Sequence, residues 1–426
     1  MRLLAFGTYD VRTHPRVGVL VEGLRASGDQ VREINVPLGI DTAGRVAMLR
    51  QPWRLPLLAL RLARCWTVLA VRGRRERRQH PPDVVLVGYL GHFDVLLARL
   101  LFRRAVLVLD HLVFAADTAA DRGVAGAWKV RVLARLDRLA LTAADVVVVD
   151  TAENGRLVPA DLADRVVVVP VGAPAAWFAA GDAVGPRGGG NPLRVVFFGL
   201  FTPLQGTPAI GAALGLLAGD PRVRVTMVGR GQDRPEAQRL AAGNPWVRWL
   251  DWVPAAQLPE MVARHDVCLG ILGTGAKARR VVPNKVFQGA AAGCAVITSD
   301  TPPQRSALGD AAIFVAPGDA AGLAAALGEL AGDPSALEKL RCGARDRAGE
   351  RFAAPAVVGT LRQRLRSLTG PAAGTPAAQA AQTAQTAPAT QTTQTTQVAQ
   401  TTQTTQVAQT PETQPARTPP TGSPPR

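Results

Sequence analysis

An α/β fold made of two successive parallel-sheet units is predicted by three observations in the sequence. Short β-branched runs alternate with helical patterns from the first residues onward, the signature of strands joined by crossover helices. Several of those runs are apolar throughout, as strands covered on both faces must be. The alternation is interrupted once, by the Gly- and Pro-rich "GDAVGPRGGGNP" (Gly181 to Pro192), and then restarts.

The first unit has "RLLAF" (Arg2 to Phe6), "QVREINV" (Gln30 to Val36), "DVVLVG" (Asp83 to Gly88), "AVLVLD" (Ala105 to Asp110), "DVVVVD" (Asp145 to Asp150) and "RVVVVPVG" (Arg165 to Gly172) as strands, with helical stretches such as Val17 to Ser27 and Trp128 to Leu141 between them. The second has "LRVVFFG" (Leu193 to Gly199), "RVTMVG" (Arg224 to Gly229), "VRWLDWV" (Val247 to Val253), "DVCLGIL" (Asp266 to Leu272), "AVITSD" (Ala295 to Asp300) and "AAIFVAPGD" (Ala311 to Asp319). Two Rossmann-like domains facing across a cleft are expected, each with its binding loops at the carboxyl ends of its strands. The boundaries read as an acceptor-side domain over 1–175, a linker over 176–192, a nucleotide-sugar domain over 193–351 and a C-terminal helix over 352–369. From residue 370 to 426 the chain is Ala, Gln, Thr and Pro, with "TTQTTQVAQ" twice in succession, and reads as a disordered tail.

Composition narrows the function. Hydrophobic content of 47% supports a sizeable core, and no apolar run reaches the eighteen residues a membrane-spanning helix needs. With Gly7 arriving too early for a signal peptide, a cytoplasmic protein is expected. The four cysteines are widely spaced and suggest neither a disulfide framework nor a zinc site. Of the 49 basic residues behind the net charge of +16, only four are lysines, an arginine bias that a GC-rich genome would write. Some charge is clustered nonetheless. "WRLPLLALRLARCWTVLAV" (Trp53 to Val71) followed by "RGRRERRQ" (Arg72 to Gln79) reads as a basic amphipathic helix, suited to an anionic membrane surface or to solvent.

The strand-end loops carry the candidate chemistry. In the first unit "GTYDVRTHPR" supplies Gly7, Asp10, His14 and Arg16 before a helix start. "GYLGHFD" offers Tyr89 and His92, and "DHLVFAADTAADRG" offers His111 beside Asp110, a carboxylate able to hold its tautomer. In the second unit "FFGLFTPLQG" and "MVGRGQ" bring backbone amides close to an anion at Gly199, Gln205, Gly206, Gly229 and Arg230. "VVPNKVFQGAAAGCAVITSD" adds a helix start at Pro283 and Asn284, with Lys285 and Gln288 on its first turn.

Taken in order, these blocks resemble the GT-B glycosyltransferases, specifically the retaining group called family 4 (glycosyltransferase group 1). The likeness covers Met1 to about Leu368 and is strongest in "VVFFGLFTPLQG", "VTMVGRGQ", "WVPAAQLPEMVARHDVCLGI", "VPNKVFQGAAAGCAVITSD" and "APGDAAGLAAALGEL". The family's two glutamates, eight positions apart, correspond here to Arg280 and Gln288, and its Arg-Lys pair to Leu200 and Gln205; Pro283, Asn284 and Lys285 look like one branch's version of the corner. The resemblance implies transfer of a sugar from a nucleotide-diphosphate sugar to an acceptor hydroxyl, with retention, no metal and no cofactor beyond that co-substrate. Lys285, Arg230 and His111 would be the catalytic residues. Gly199, Gln205, Gly206, Gly229, Pro283, Asn284 and Gln288 would hold the donor; Gly7, Asp10, His14, Arg16, Tyr89 and His92 would face the acceptor. The resemblance implies a nucleotide sugar as partner, and the basic helix suggests a glycan or lipid-linked acceptor of cell-envelope synthesis reached at the inner membrane face, without nucleic acid. Two other readings stay open: epimerisation of a nucleotide sugar, and a non-catalytic, nucleic-acid-binding basic protein.

Overall fold

The strand-forming runs assemble into two separate six-stranded parallel sheets in the computed structural model, which describes residues 1–11, 15–39, 53, 55–121, 127–185 and 192–370. The first sheet has the order β2-β1-β3-β4-β5-β6, with β1 Arg2–Gly7, β2 Gln30–Asn35, β3 Val84–Val87, β4 Val106–Asp110, β5 Val146–Val149 and β6 Val166–Val168. The second runs β12-β11-β10-β7-β8-β9, with β7 Leu193–Phe198, β8 Val223–Val228, β9 Val247–Leu250, β10 Val267–Leu269, β11 Ala295–Ser299 and β12 Ile313–Val315. Each expected run thus contains a strand. In an open α/β sheet the ligand crevice lies where strand order reverses. That point is between β1 and β3 in the first sheet and between β7 and β10 in the second.

Helices cover both faces of each sheet. Along the first, α1 spans Arg16–Ala26, α2 Leu55–Gln79, α3 Asp94–Leu101, α4 Ala115–Asp121 and α5 Ala127–Ala143. One core gathers Leu69 of α2, Val95 and Leu101 of α3 and Leu141 of α5 against Phe6, Val85 and Leu107 of the strands. The α6 helix, Ala175–Val184, falls where a linker is expected from composition. Its Trp177 is buried and stacked on Phe198 of β7 at 5.5 Å, so this stretch packs with the second sheet. One aromatic anchor outweighs the Gly- and Asp-rich residues that follow it. Residues 186–191 of the expected linker, His14 and the whole tail from 371 lie outside the described residues.

Around the second sheet run α7 Thr207–Leu216, α8 Asn284–Ala291 and α9 Pro334–Arg351. The single C-terminal helix expected over 352–369 is two, α10 Ala354–Val357 and α11 Gly359–Thr369. They return to the first sheet: Leu361 and Leu365 share a core with Val108 and Val148, and Arg362 Nε donates to Asp29 Oδ2 at 2.7 Å. The chain therefore crosses between the sheets a second time, at Phe352, whose carbonyl accepts from Ala173 N.

Candidate functional site

At the reversal point of the second sheet, two glycine loops close on each other. A Cβ on Gly229 would lie 1.8 Å from the Gly199 carbonyl oxygen, and one on Gly206, where φ is +65°, would lie 2.3 Å from the Leu272 carbonyl carbon. No side chain larger than hydrogen fits at either position, which is why the loops are written with glycine. Lys285 reaches into this knot from the first turn of α8. It is 4% exposed, its Nζ donates to Gln205 Oε1 at 2.5 Å, and the same atom lies 3.5 Å from the centre of the Phe197 ring. Among the described residues no carboxylate pairs with it. Burial pulls its pKa from 10.5 down to about 7.

The small residues of α8 have a matching cause. A Cβ on Gly289 would meet Cys268 of β10 at 2.6 Å, so the helix lies hard against the strand and carries Lys285 inward with it. No side chain caps its N-terminus, and first-turn N–H groups have no partner within a helix. Gln288, one turn on, is buried and makes no side-chain hydrogen bond among the described residues. The site thus presents one buried cation, helix-end amides and a neutral amide, a combination that fits an anion with a hydroxyl-bearing neighbour.

The rim of the first sheet is built differently. Arg16, buried at the start of α1, donates from Nε to Asp110 Oδ1 at 3.0 Å and from Nη1 to the Pro170 carbonyl at 2.6 Å. Its Nη2 and Asp110 Oδ2 have no partner among the described residues. Burial raises the Asp110 carboxyl above its usual range despite Arg16. It does the same to Asp150, whose Oδ1 accepts from Asn154 Nδ2 at 2.7 Å.

Beside this pair lies a second buried group. His92 Nε2 and Asp137 Oδ1 are 2.9 Å apart, and the His111 ring meets His92 and Phe114 edge to face at 4.9 and 4.5 Å. Burial, then the neighbouring His92, lowers the His111 pKa from 6.5 to about 3. Burial alone would raise Asp137. Hydrogen bonds from His92 and from the N–H groups of Ala115 and Ala116 bring it below the usual carboxylate range instead. The ligand atoms of His92, His111 and Asp137 lie within 4.8 Å of one another and could geometrically hold a metal ion. Asp137 Oδ1, however, is already an acceptor for His92 and Ala115.

A cavity of about 160 Å³ opens where the two halves meet. Arg16, Tyr89, Leu112, Val113, Asp150 and Val171 line it from the first half, and Val282 and Asn284 from the second. Tyr89 is followed by Leu90, the single non-glycine residue with positive φ (61°) among the described residues. Such strain persists only where surrounding structure imposes it and clusters near functional sites. A larger cavity of about 340 Å³ shares Asp150 and Val282 and runs toward Phe352, Glu350 and Arg351 at the chain's second crossing.

Most expected positions therefore fall at the two rims, with specific corrections. Lys285, Gln205, Gln288, Gly199, Gly206, Gly229 and Pro283 gather at the second sheet's rim, and Asn284 and Arg16 reach the cavity with Tyr89. Gly7 and Asp10 stay on the β1 loop, where Thr8 donates from N and Oγ1 to Asp94 Oδ2. Asp110 does not hold His111: its Oδ1 accepts from Arg16 and its Oδ2 makes no hydrogen bond among the described residues, while the carboxylate near the two histidines is Asp137 of α5, 45 positions beyond His92. The cavity is lined by Leu112 and Val113 while the His111 ring packs inward. Arg230 lies at the exposed edge, paired with Asp251 at 2.9 Å. Arg280 turns to the first half, where its guanidinium pairs with Asp117 at 2.5 Å and its carbonyl accepts from Thr151 Oγ1 at 2.6 Å. Asp137, Asp150 and the Arg16–Asp110 pair carry no local motif.

Residues 192–333 match the model of a family described as Glycosyl transferases group 1. No curated protein matches the chain. Among solved structures, the sucrose-phosphate synthase of Thermosynechococcus elongatus aligns over 86% of this chain and 99% of its own, at 15% identity and a TM-score of 0.62. The α,α-trehalose-phosphate synthase (UDP-forming) of Burkholderia vietnamiensis aligns over 88% and 98%, at 16% identity and 0.61. Anabaena HepE, solved with UDP-glucose, aligns over 86% and 100%, at 13% identity and 0.57. The fold is GT-B, and its second half contains a glycosyl transferases group 1 domain.

Proposed function

We propose that the protein is a retaining glycosyltransferase that moves a sugar from a nucleotide-diphosphate sugar, with a uridine-diphosphate sugar as the first donor to test, onto an acceptor hydroxyl of a glycan or lipid-linked precursor of the cell envelope. One observation carries the reading: Lys285 is a buried cation whose only hydrogen-bond partner among the described residues is the neutral Gln205. A buried charge without a counter-ion is costly, and a diphosphate at the end of α8 would supply that counter-charge. Complexes of the GT-B neighbour HepE contain UDP and UDP-glucose, which supports a nucleotide sugar as ligand here.

In this reaction the bond from the sugar's anomeric carbon to the diphosphate oxygen breaks, a bond to the acceptor oxygen forms, and the proton of the acceptor hydroxyl passes to the departing diphosphate oxygen. Negative charge grows on the departing diphosphate. Lys285, the first-turn amides of α8 and the glycine-loop amides stabilise it electrostatically, without a metal or a further cofactor. Gln288 hydrogen-bonds a ribose hydroxyl. The acceptor enters the cavity between the halves, where Arg16, Tyr89, Asp150 and Asn284 contact its polar groups.

Calorimetric titration with UDP-, GDP- and ADP-sugars tests this. One of them binds, and Lys285→Ala weakens it by about 1.5–3 kcal/mol, the range for a hydrogen bond to a charged group. Wild-type affinity in that variant removes Lys285 from the site. Conversion of the donor to its epimer without acceptor replaces transfer with epimerisation.

A further inference from the structure

We infer that the outer faces of α2, α3 and α5 form one platform that docks on an anionic lipid bilayer. The three helices lie in one layer over the first sheet, since Leu69, Leu101 and Leu141 share a core. Together they carry twelve arginines and lysines and only three acids, Glu76, Asp94 and Asp137. All three acids are buried, turned inward to partners: Glu76 to Arg32, Asp94 to Thr8 and Trp66, Asp137 to His92. No exposed carboxylate of these helices themselves interrupts their positive charge among the described residues, although Arg99 and Arg138 pair with Asp145 and Asp161 of neighbouring segments.

The same faces expose apolar side chains at helical spacing. On α2 these are Leu57, Leu60, Val68 and Val71, the last 62% exposed, and Arg64, Arg75 and Arg78 continue the stripe. On α5 they are Trp128 (65% exposed), Val132 and Leu139, and on α3 Leu100. Interspersed cations and apolar groups with an interfacial tryptophan match a headgroup and acyl boundary. Charge complementarity selects the occupant. A second copy of this face would be repelled by like charge, and nucleic acid gives exposed leucine and valine nothing apolar to enter. No described helix is long and apolar enough to cross a membrane, so contact is at the surface. This deepens the reading above by placing the lipid-linked acceptor on the platform's own surface, and rests on that reading only for the acceptor.

The test is co-sedimentation of the full chain with vesicles of phosphatidylcholine alone or mixed with phosphatidylglycerol, without nucleotide sugar. Binding is expected only with phosphatidylglycerol, and weaker at high salt. Reversing Arg64→Glu, Arg75→Glu and Arg78→Glu together reduces it about tenfold or more, and Leu57→Ser with Leu60→Ser reduces it at unchanged charge. These side chains are exposed, so both variants keep wild-type circular dichroism and nucleotide-sugar titration, and a failure of vesicle binding is read apart from a failure of the transferase reading. Equal binding to neutral vesicles, wild-type binding by the arginine variant, preference for single-stranded RNA over vesicles, or dimerisation through this face would each overturn the platform.

Discussion

The rims of the two sheets handle buried charge in opposite ways. At the first, the cation and carboxylate of Arg16 and Asp110 neutralise each other 3.0 Å apart, and His92 and Asp137 form a second closed group. At the second, Lys285 is as deeply buried but among the described residues meets Gln205 and a phenyl face with no carboxylate paired to it. A self-neutralised cluster is a structural fastening with little left for an anion. A buried cation held by neutral groups costs stability, and a negative ligand can return that stability. On the proposed reading, the anion belongs to the second rim and the first is left to neutral, hydroxyl-bearing groups.

The largest effect should come from breaking the first rim. Asp110→Ala leaves Arg16 buried with the Pro170 carbonyl as its hydrogen-bond acceptor and Asp150 as its nearby negative charge, and denaturant titration should show a loss of about 3–5 kcal/mol. The second rim should answer with the opposite sign. Lys285→Met removes a buried charge that has no counter-ion, and should stabilise the unliganded protein by about 2–3 kcal/mol near pH 7 while weakening nucleotide-sugar binding. In the wild type, because the folded pKa of Lys285 is about 7 and the unfolded one near 10.5, the unfolded chain holds the proton longer. Stability of the free protein should thus rise between pH 7 and 10.5, and affinity for a diphosphate ester should be full below pH 7 and fall above it. Loss of stability in Lys285→Met, or a pH-independent affinity, would erase the contrast.

His111 should give a smaller, acid-side signature. Its folded pKa near 3 lies below the unfolded value of 6.5, so its contribution is complete above pH 6.5 and is lost as pH falls toward 3. The slope is at most about 1.4 kcal/mol per pH unit, or about 2 kcal/mol by pH 5. Urea titrations at pH 7, 6 and 5 should show it, and His111→Gln should flatten it. Smallest of all is the exposed edge of the second rim. Arg230→Ala should leave the unfolding midpoint unchanged, since both partners of its pair with Asp251 face solvent and Asp251 keeps Arg234. A clear shift there would mean that surface pairs, too, hold this rim together.

Legibility followed the range of the interaction. Most of the twelve strands were readable because short apolar runs, several of them β-branched and ending in Gly or Asp, need only local pattern. The glycine loops and the corner around Lys285 were readable for the same reason, since Pro283 and the small residues after it announce a helix end pressed against backbone. The α6 helix was hidden by its Gly and Asp content, its anchor Trp177 having meaning only once Phe198 is beneath it. Asp137 was hidden in the middle of a helix, and nothing beside Arg280 in the chain points to Asp117, 163 positions away.

By itself, then, the sequence determined two parallel α/β sheets, the loops at their carboxyl ends and a lysine at the start of α8, because periodicity, glycine and proline act within a few residues of themselves. Tertiary structure decided which charges are spent on one another and which are left for a ligand. Coulombic pairing depends on distance in space, and the partners of Arg16, His92 and Arg280 lie 94, 45 and 163 positions away along the chain.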